Sequence, residues 1–149
     1  MLFLTIDEFR GEYSFLSNFY PAPFVDNSGL LWATSEHYYQ AHKTNDPYTF
    51  DCIRHATTPG ISKKLGANVE LRGDWNDVKI DIMKKAIRYK FDQNLDIKEK
   101  LILTGEADLI EGNRWGDTFW GYDLNKHRGK NVLGNLLIEL RQFYRDEQQ

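Results

Sequence analysis

A chain of 149 residues with 41% hydrophobic and 14% aromatic residues is long enough to bury a sizeable single core. Its net charge of −3 excludes a broad basic surface for non-specific nucleic-acid binding, though local basic runs remain. The single Cys52 excludes an internal disulfide and a metal site built on several cysteines.

Residues 2–6 alternate weakly and predict a short strand. The same stretch has no basic residue and too short an apolar run for a signal peptide, and no segment approaches a membrane span. A cytoplasmic protein with no membrane partner is expected. Residues 10–23 are too aromatic for a solvated linker, and Ser17, Asn18 and two prolines argue against a long helix. Asn18 is either a turn amide bonding its own backbone or an amide that reads a ligand edge. Phe24-Val25, the polar Asp26-Asn-Ser-Gly29 and Leu30-Leu-Trp32 predict a β-hairpin.

The hairpin leads into Trp32-Ala-Thr-Ser-Glu-His-Tyr-Tyr-Gln-Ala-His-Lys43, which predicts a helix capped at Thr34 or Ser35 and running to about Lys43. Glu36, Tyr39, Gln40 and Lys43 then share a face, with Glu36 and Lys43 roughly 10 Å apart along the axis. A carboxylate, an amine and an aromatic wall suffice for acid–base work on a polar ring. The plainer reading makes Glu36 a partner of the helix dipole and Lys43 a C-terminal charge.

Asp46 and Pro47 restart the chain as a cap and a first helical position, giving a short helix over 48–55 with Cys52 in the core. Residues 57–60 break it, and a helix over 61–65 closes at Gly66, with Lys63 and Lys64 on its wet face. Asp74 caps the longest helix, to about Asn94. Its core stripe is Val78, Ile82, Met83, Ala86, Ile87, Tyr89 and Phe91, while Lys79, Lys84, Lys85, Arg88 and Lys90 form the solvated face. A helix over 96–103 and a strand over 107–110 follow.

Residues 111–123 hold three glycines, two tryptophans and several acids. They suit either a pocket wall on which a flat ring stacks or a buried aromatic turn. Lys126-His-Arg-Gly-Lys130 is basic and enters a final helix capped by Asn131, with Leu133, Leu136, Leu137, Leu140 and Phe143 on its apolar face. Such a helix start is a natural phosphate seat, although it is not a P-loop. His37 and His42 are not spaced as a zinc helix requires, and neither a Gly-x-Ser-x-Gly elbow nor a dinucleotide loop occurs.

Phe15-Leu-Ser-Asn-Phe19, Glu36-His-Tyr-Tyr-Gln-Ala41 with Lys43, and Trp120-Gly121 with Gly129-Lys-Asn-Val-Leu-Gly134 resemble the signature blocks of the NADAR family, the YbiA-like N-glycosidases. The blocks fall in family order across residues 9–141. The resemblance implies one domain over residues 1–149 with an α+β fold, mainly helical with a small β portion. It also implies hydrolysis of N-glycosidic bonds. Family members act on early riboflavin-pathway intermediates, on ADP-ribosylated guanine in nucleic acid, or on both. Between Gly121 and Gly129 the chain carries Tyr-Asp-Leu-Asn-Lys-His-Arg, where many relatives are shorter and richer in glycine.

In these substrates an exocyclic amine on a heteroaromatic ring is bonded to the anomeric carbon of a phosphorylated ribose, and the sugar can open to an imine. The resemblance suggests Lys43 as the amine that attacks, Glu36 as the acid–base group and Asp123 as a second-choice carboxylate. Ser17, Asn18, Phe19, Tyr39, Gln40, Trp115, Trp120, Gly121, Lys130 and Asn131 are the expected substrate contacts. Trp115 and Trp120 would stack the base, Asn18 would read its edge, and Lys130 with the helix start at Asn131 would seat phosphate. No metal, cofactor or obligate protein partner is expected. The partner is a small ribosylated heterocycle phosphate or ADP-ribosylated nucleic acid, acted on as substrate. The alternatives are a module that binds ADP-ribose or NAD without turnover, and a structural partner protein with an aromatic surface.

Overall fold

A computed structural model describes residues 4–149. In chain order the elements are β1 (Thr5–Ile6), a 3-10 helix (Gly11–Leu16), β2 (Phe24–Val25), β3 (Leu31–Trp32), α1 (Ser35–Ala41), α2 (Pro47–Arg54), α3 (Pro59–Gly66), α4 (Trp75–Gln93), α5 (Leu95–Leu103), β4 (Asp108–Leu109), β5 (Gly112–Asn113), β6 (Tyr122–Asp123) and α6 (Val132–Glu147). The fold is α+β, mainly helical, with three two-stranded ladders among the described residues. Of the predicted first strand, residues 5–6 are formed, and residues 2–3 lie outside the described residues. The chain divides into two compact units, residues 18–95 and residues 1–17 with 96–149.

In the unit of residues 18–95, β2 and β3 pair antiparallel, with Phe24 opposite Trp32. Asp26 sets the turn: its Oδ1 accepts from the N–H groups of Ser28 and Leu30, and its Oδ2 accepts from Trp32 Nε1 at 2.9 Å. The last bond satisfies the indole N–H, which lets Trp32 be fully buried. Around it Tyr38 and Phe50 pack edge-on, at 5.2 and 5.4 Å between ring centres. α4 supplies Ile82, Met83, Ala86, Ile87 and Phe91 to this core, as its periodicity predicts. Each of these side chains apart from the Ala86 methyl contributes about 1.5–3 kcal/mol relative to exposure.

The helix starts are local chemistry. The Asp46 carboxylate accepts from Thr49 N–H with Pro47 behind it, and Thr58 does the same for Ile61 with Pro59. Residues 57–60, expected only to break the chain, thus begin α3. Asp74 stands at the start of α4, but its carboxylate pairs with Arg72 at 2.6 Å instead of capping the helix.

Two burial expectations are corrected here. Cys52 is exposed, because Ile53 is the buried residue of α2. Lys90 is fully buried, its Nζ 5.0 Å from the centre of the Phe91 ring and 5.9 Å from that of Tyr20. Its stem is covered completely and its ammonium lies against the faces of these two rings.

In the unit of residues 1–17 and 96–149, β1 runs parallel to β4, with Ile6 opposite Leu109. α6 buries Leu133, Leu136, Leu137, Leu140 and Tyr144. Tyr144 takes the place expected for Phe143, which is 42% exposed. Gly134 brings the α6 backbone against β4, since a Cβ there would overlap the carbonyl of Leu109. Arg141 is buried in the same layer and donates to Ala107 O at 2.8 Å and Thr104 Oγ1 at 2.9 Å.

Candidate active site

The seven-residue helix α1 is buried along its whole length, polar residues included. Its start is fixed three ways. Thr34 Oγ1 accepts from His37 N–H at 3.1 Å, which is the predicted cap. The same hydroxyl meets His37 Nδ1 at 2.8 Å while Nε2 donates to Ala56 O at 2.9 Å, so the ring carries its proton on Nε2 and accepts from Thr34. The backbone carbonyl of Asn18 accepts from Glu36 N–H at 3.1 Å, and the Asn18 side chain accepts from Ser35 Oγ at 2.9 Å. Asn18 also donates to Met83 Sδ at 3.4 Å. Its amide therefore bonds no backbone of its own turn: it fastens the first turn of α1 to α4.

α1 ends at Ala41, short of the predicted end near Lys43. Lys43 lies just beyond, in a tight turn where its N–H donates to Gln40 O at 3.2 Å and its own carbonyl accepts from Arg72 N–H at 2.8 Å. The backbone of Lys43 is held from both sides, and its Nζ leans back to 5.4 Å from the centre of the Tyr39 ring. Tyr39 is buried and tilts against Trp75 of α4 at 5.2 Å. Desolvation in this setting pushes the Lys43 amine below the usual lysine range; Glu36 opposes that shift, and Lys63 adds to it.

Glu36 is 7% exposed and accepts from Gln40 Nε2 at 3.3 Å. α3 packs on this face, and its Lys63 Nζ lies 5.9 Å from the centre of the half-exposed Phe19 ring. Lys63 is the group that sequence reasoning left as solvated surface. The signal lay beside it: Ser62 and Gly66 are two small residues one helical turn apart, which marks the side of α3 that can approach another helix closely.

The other unit holds the remaining predicted residues in a loop ordered by its own side chains. Asn113 Oδ1 accepts from the N–H groups of Trp115 and Asp117, and Asp117 Oδ1 accepts from those of Phe119 and Trp120. Gly121 is buried against Glu111 O, where a Cβ would overlap. Trp115 is 59% exposed; Trp120 is half-buried and edge-on to Phe119 at 4.8 Å. Asp123 is buried, and its Oδ1 accepts from the N–H groups of Asn125 and Lys126. Those bonds, the one from Lys126 foremost, hold its carboxyl below the usual range.

The phosphate seat expected at the start of α6 does not form. The N–H groups of Lys130, Asn131, Val132 and Leu133 donate to the carbonyls of Thr118, Gly121, Phe119 and Trp120. No helix-start donor in that run remains for an anion. Nor does Asn131 cap by its side chain, which accepts from Glu111 N–H and donates to Leu109 O, both at 2.9 Å. Its positive φ of 51° fits an asparagine at this corner. Lys130 keeps an exposed ammonium, 5.7 Å from the Phe119 ring centre.

Thus Asn18, Phe19, Glu36, Tyr39, Gln40 and Lys43 belong to one unit, and Ser17, Trp115, Trp120, Gly121, Asp123, Lys130 and Asn131 to the other. The NADAR domain model matches residues 5–145, nearly the whole chain. The chain belongs to the NADAR domain family. This NADAR chain is 39% identical over 133 residues to N-glycosidase YbiA of Shigella flexneri, the match covering 88% of this chain and 81% of that protein. It is 35% identical over 133 residues to a riboflavin biosynthesis protein of Vibrio vulnificus, covering 88% of this chain and 35% of that one. The NMR structure of Escherichia coli YbiA matches the NADAR fold described above with a TM-score of 0.87 at 35% identity, covering 99% and 89% of the two chains. Among the described residues of the NADAR chain, no helix is long and apolar enough to cross a membrane.

Proposed function

We propose that the chain is an N-glycosidase that hydrolyses the bond between an exocyclic amine of a heteroaromatic base and a phosphorylated ribose, through an imine on Lys43. The observation that carries this reading is the Lys43 amine itself. It is backed by Tyr39, pinned through its own backbone, lowered in basicity by burial, and placed in the turn that follows the helix carrying Glu36. An amine is a nucleophile only when neutral, and desolvation raises the neutral fraction near physiological pH.

The steps balance without a co-reactant other than water. The ribosyl amine opens to an imine between C1 and the base nitrogen. Lys43 Nζ adds to C1, and its proton passes to the base nitrogen, with Glu36 as carrier. The remaining Nζ proton passes to that nitrogen by the same carrier as its bond to C1 breaks, releasing the aromatic amine and leaving C1 bonded to Lys43 as an imine. Water adds to C1, Glu36 taking its proton, and the adduct collapses to the free sugar aldehyde and the free amine of Lys43.

Two substrate classes share this chemistry, the early riboflavin-pathway ribosylaminopyrimidine phosphates and ADP-ribosylated guanine in nucleic acid. The names of the relatives favour the first. Within the unit that holds Lys43, we assign base stacking to Phe19 and phosphate contact to the side chain of Lys63. Asp123 is assigned to turn formation rather than proton transfer. The test is product mass analysis after incubating the protein with both substrate classes. Release of free base from either supports the reading. Binding of ADP-ribose or NAD with no release from any substrate would replace it with a non-catalytic module.

A further inference from the structure

Gln40 sits one turn after Glu36 on α1 and is 4% exposed. Its amide nitrogen donates to Glu36 Oε1 at 3.3 Å, while its amide oxygen has no hydrogen-bond partner among the described residues. Gly66 of α3 closes the other side, where a Cβ would overlap the amide oxygen and come within 2.8 Å of the amide carbon. The amide is held between a carboxylate and a helix backbone. Burying an unpartnered carbonyl costs free energy. The orientation is therefore stabilised by what the nitrogen end gains, and a hydrogen bond to an ionised acceptor is stronger than one to a neutral acid. The reversed amide would set its oxygen against a carboxylate oxygen, which is repulsive unless the acid carries a proton.

Resting on the imine reading above, we propose that Gln40 is a positioning residue: its amide favours the ionised form of Glu36, so the site begins its cycle with a base in place, and Gln40 itself does not touch substrate. The charged groups around this pocket are Lys43 at the end of α1 and Lys63 on α3. α4 brings the uncharged Trp75 to Tyr39, and α2 directs Arg54 to Leu31 O. His37 is turned to Thr34 and Ala56. Lys43, when protonated, also favours an ionised Glu36, so the test must remove the amide donor alone.

The full chain is labelled with carboxyl-13C glutamate, and the Glu36 signal is assigned by its loss in Glu36→Gln. Gln40→Met keeps the length and removes the donor. The Glu36 titration midpoint should move to higher pH than in the unmodified protein, and kcat should fall about tenfold or more at unchanged KM. Gln40→Glu keeps the shape, replaces the donor with a second carboxyl, and should move the midpoint the same way; it carries the test if the Met variant does not fold. An unmoved Glu36 midpoint in a folded variant overturns the proposal. The titration needs no substrate. A moved midpoint in a protein with no glycosidase turnover would overturn the functional reading and leave the coupling of Gln40 to Glu36 standing.

Discussion

Asn18 Oδ1 accepts a 2.9 Å hydrogen bond from Ser35 Oγ, so a residue seventeen positions earlier in the chain holds the first turn of the helix that carries Glu36. With its amide also donating to Met83 Sδ, the half-buried Asn18 fastens α1 to α4. Asn18→Ala should therefore cost stability, about 1–3 kcal/mol for the buried partner left unpaired. Chemical denaturation measures this directly. A variant of unchanged stability whose only defect is a raised KM would instead make Asn18 a ligand contact.

Lys43→Arg keeps a cation beside Tyr39 but supplies no amine of ordinary lysine nucleophilicity. It should fold normally and be nearly inactive. Borohydride added during turnover of the unmodified protein should reduce the imine and leave a sugar adduct on the Lys43 peptide, visible by mass. A fully active Lys43→Ala protein would remove the lysine from the chemistry and leave direct attack by water.

The pH dependence has a definite sign. The protonated form of Lys43 is disfavoured, first by burial, with Glu36 opposing and Lys63 contributing. Activity that needs the neutral amine should rise with pH and level off below the range of an ordinary lysine. Lys63→Met removes a repelling charge and should move that rising limb to higher pH. The effect should shrink in high salt, because Lys63 is exposed. A limb that moves to lower pH, or does not move at low salt, would be evidence against an amine nucleophile at position 43.

The parts of the fold that sequence revealed are those whose physics is local. Thr34 caps α1, Asp46 and Pro47 start α2, and Asp26 shapes the hairpin turn, each within a few residues of its partner. What stayed hidden depends on distant chain. The start of α6 reads as an anion seat until the carbonyls of residues 118–121 take its N–H groups. Lys90 lies in a lysine-rich helix, and only the return of Tyr20 and the depth of α4 make it a core residue. Helical spacing placed Glu36 and Lys43 on one face, and Lys43 turns back toward Tyr39 although α1 stops at Ala41. Lys63 is exposed as expected, and its effect on Lys43 comes from a different helix, which no local pattern reveals.

Asp123 tests the division between chemistry and scaffolding in the other unit. Its carboxylate accepts from Asn125 and Lys126 N–H, and the lowered pKa that follows contributes to stability. That stabilisation is present above the ordinary carboxyl range and is lost as pH falls through the folded value. Asp123→Asn can still accept both N–H bonds through its amide oxygen. It should keep most of the turnover while weakening the acid-side dependence of thermal stability. A loss of about a hundredfold or more in kcat in a stable Asn variant would return Asp123 to the acid–base role.

Glu36→Gln separates a catalytic carboxylate from a structural one. The substituted amide keeps an oxygen able to accept from Gln40 Nε2, so the buried hydrogen bond survives in kind. What is lost is the negative charge in the first turn, worth about 0.3–1 kcal/mol against the helix dipole. A small fall in melting temperature is therefore expected. The proton carrier between Lys43, the base nitrogen and water is lost as well, and general acid–base groups typically contribute about 10²–10⁴-fold in rate. Turnover should fall within that range while KM changes little, because no base or phosphate contact is assigned to Glu36. Imine capture by borohydride should fall in parallel, since formation of the imine and its hydrolysis both move a proton at this position. If Glu36→Gln retains near-normal turnover with only the small stability loss, the carboxylate serves the helix and the proton carrier must be sought elsewhere.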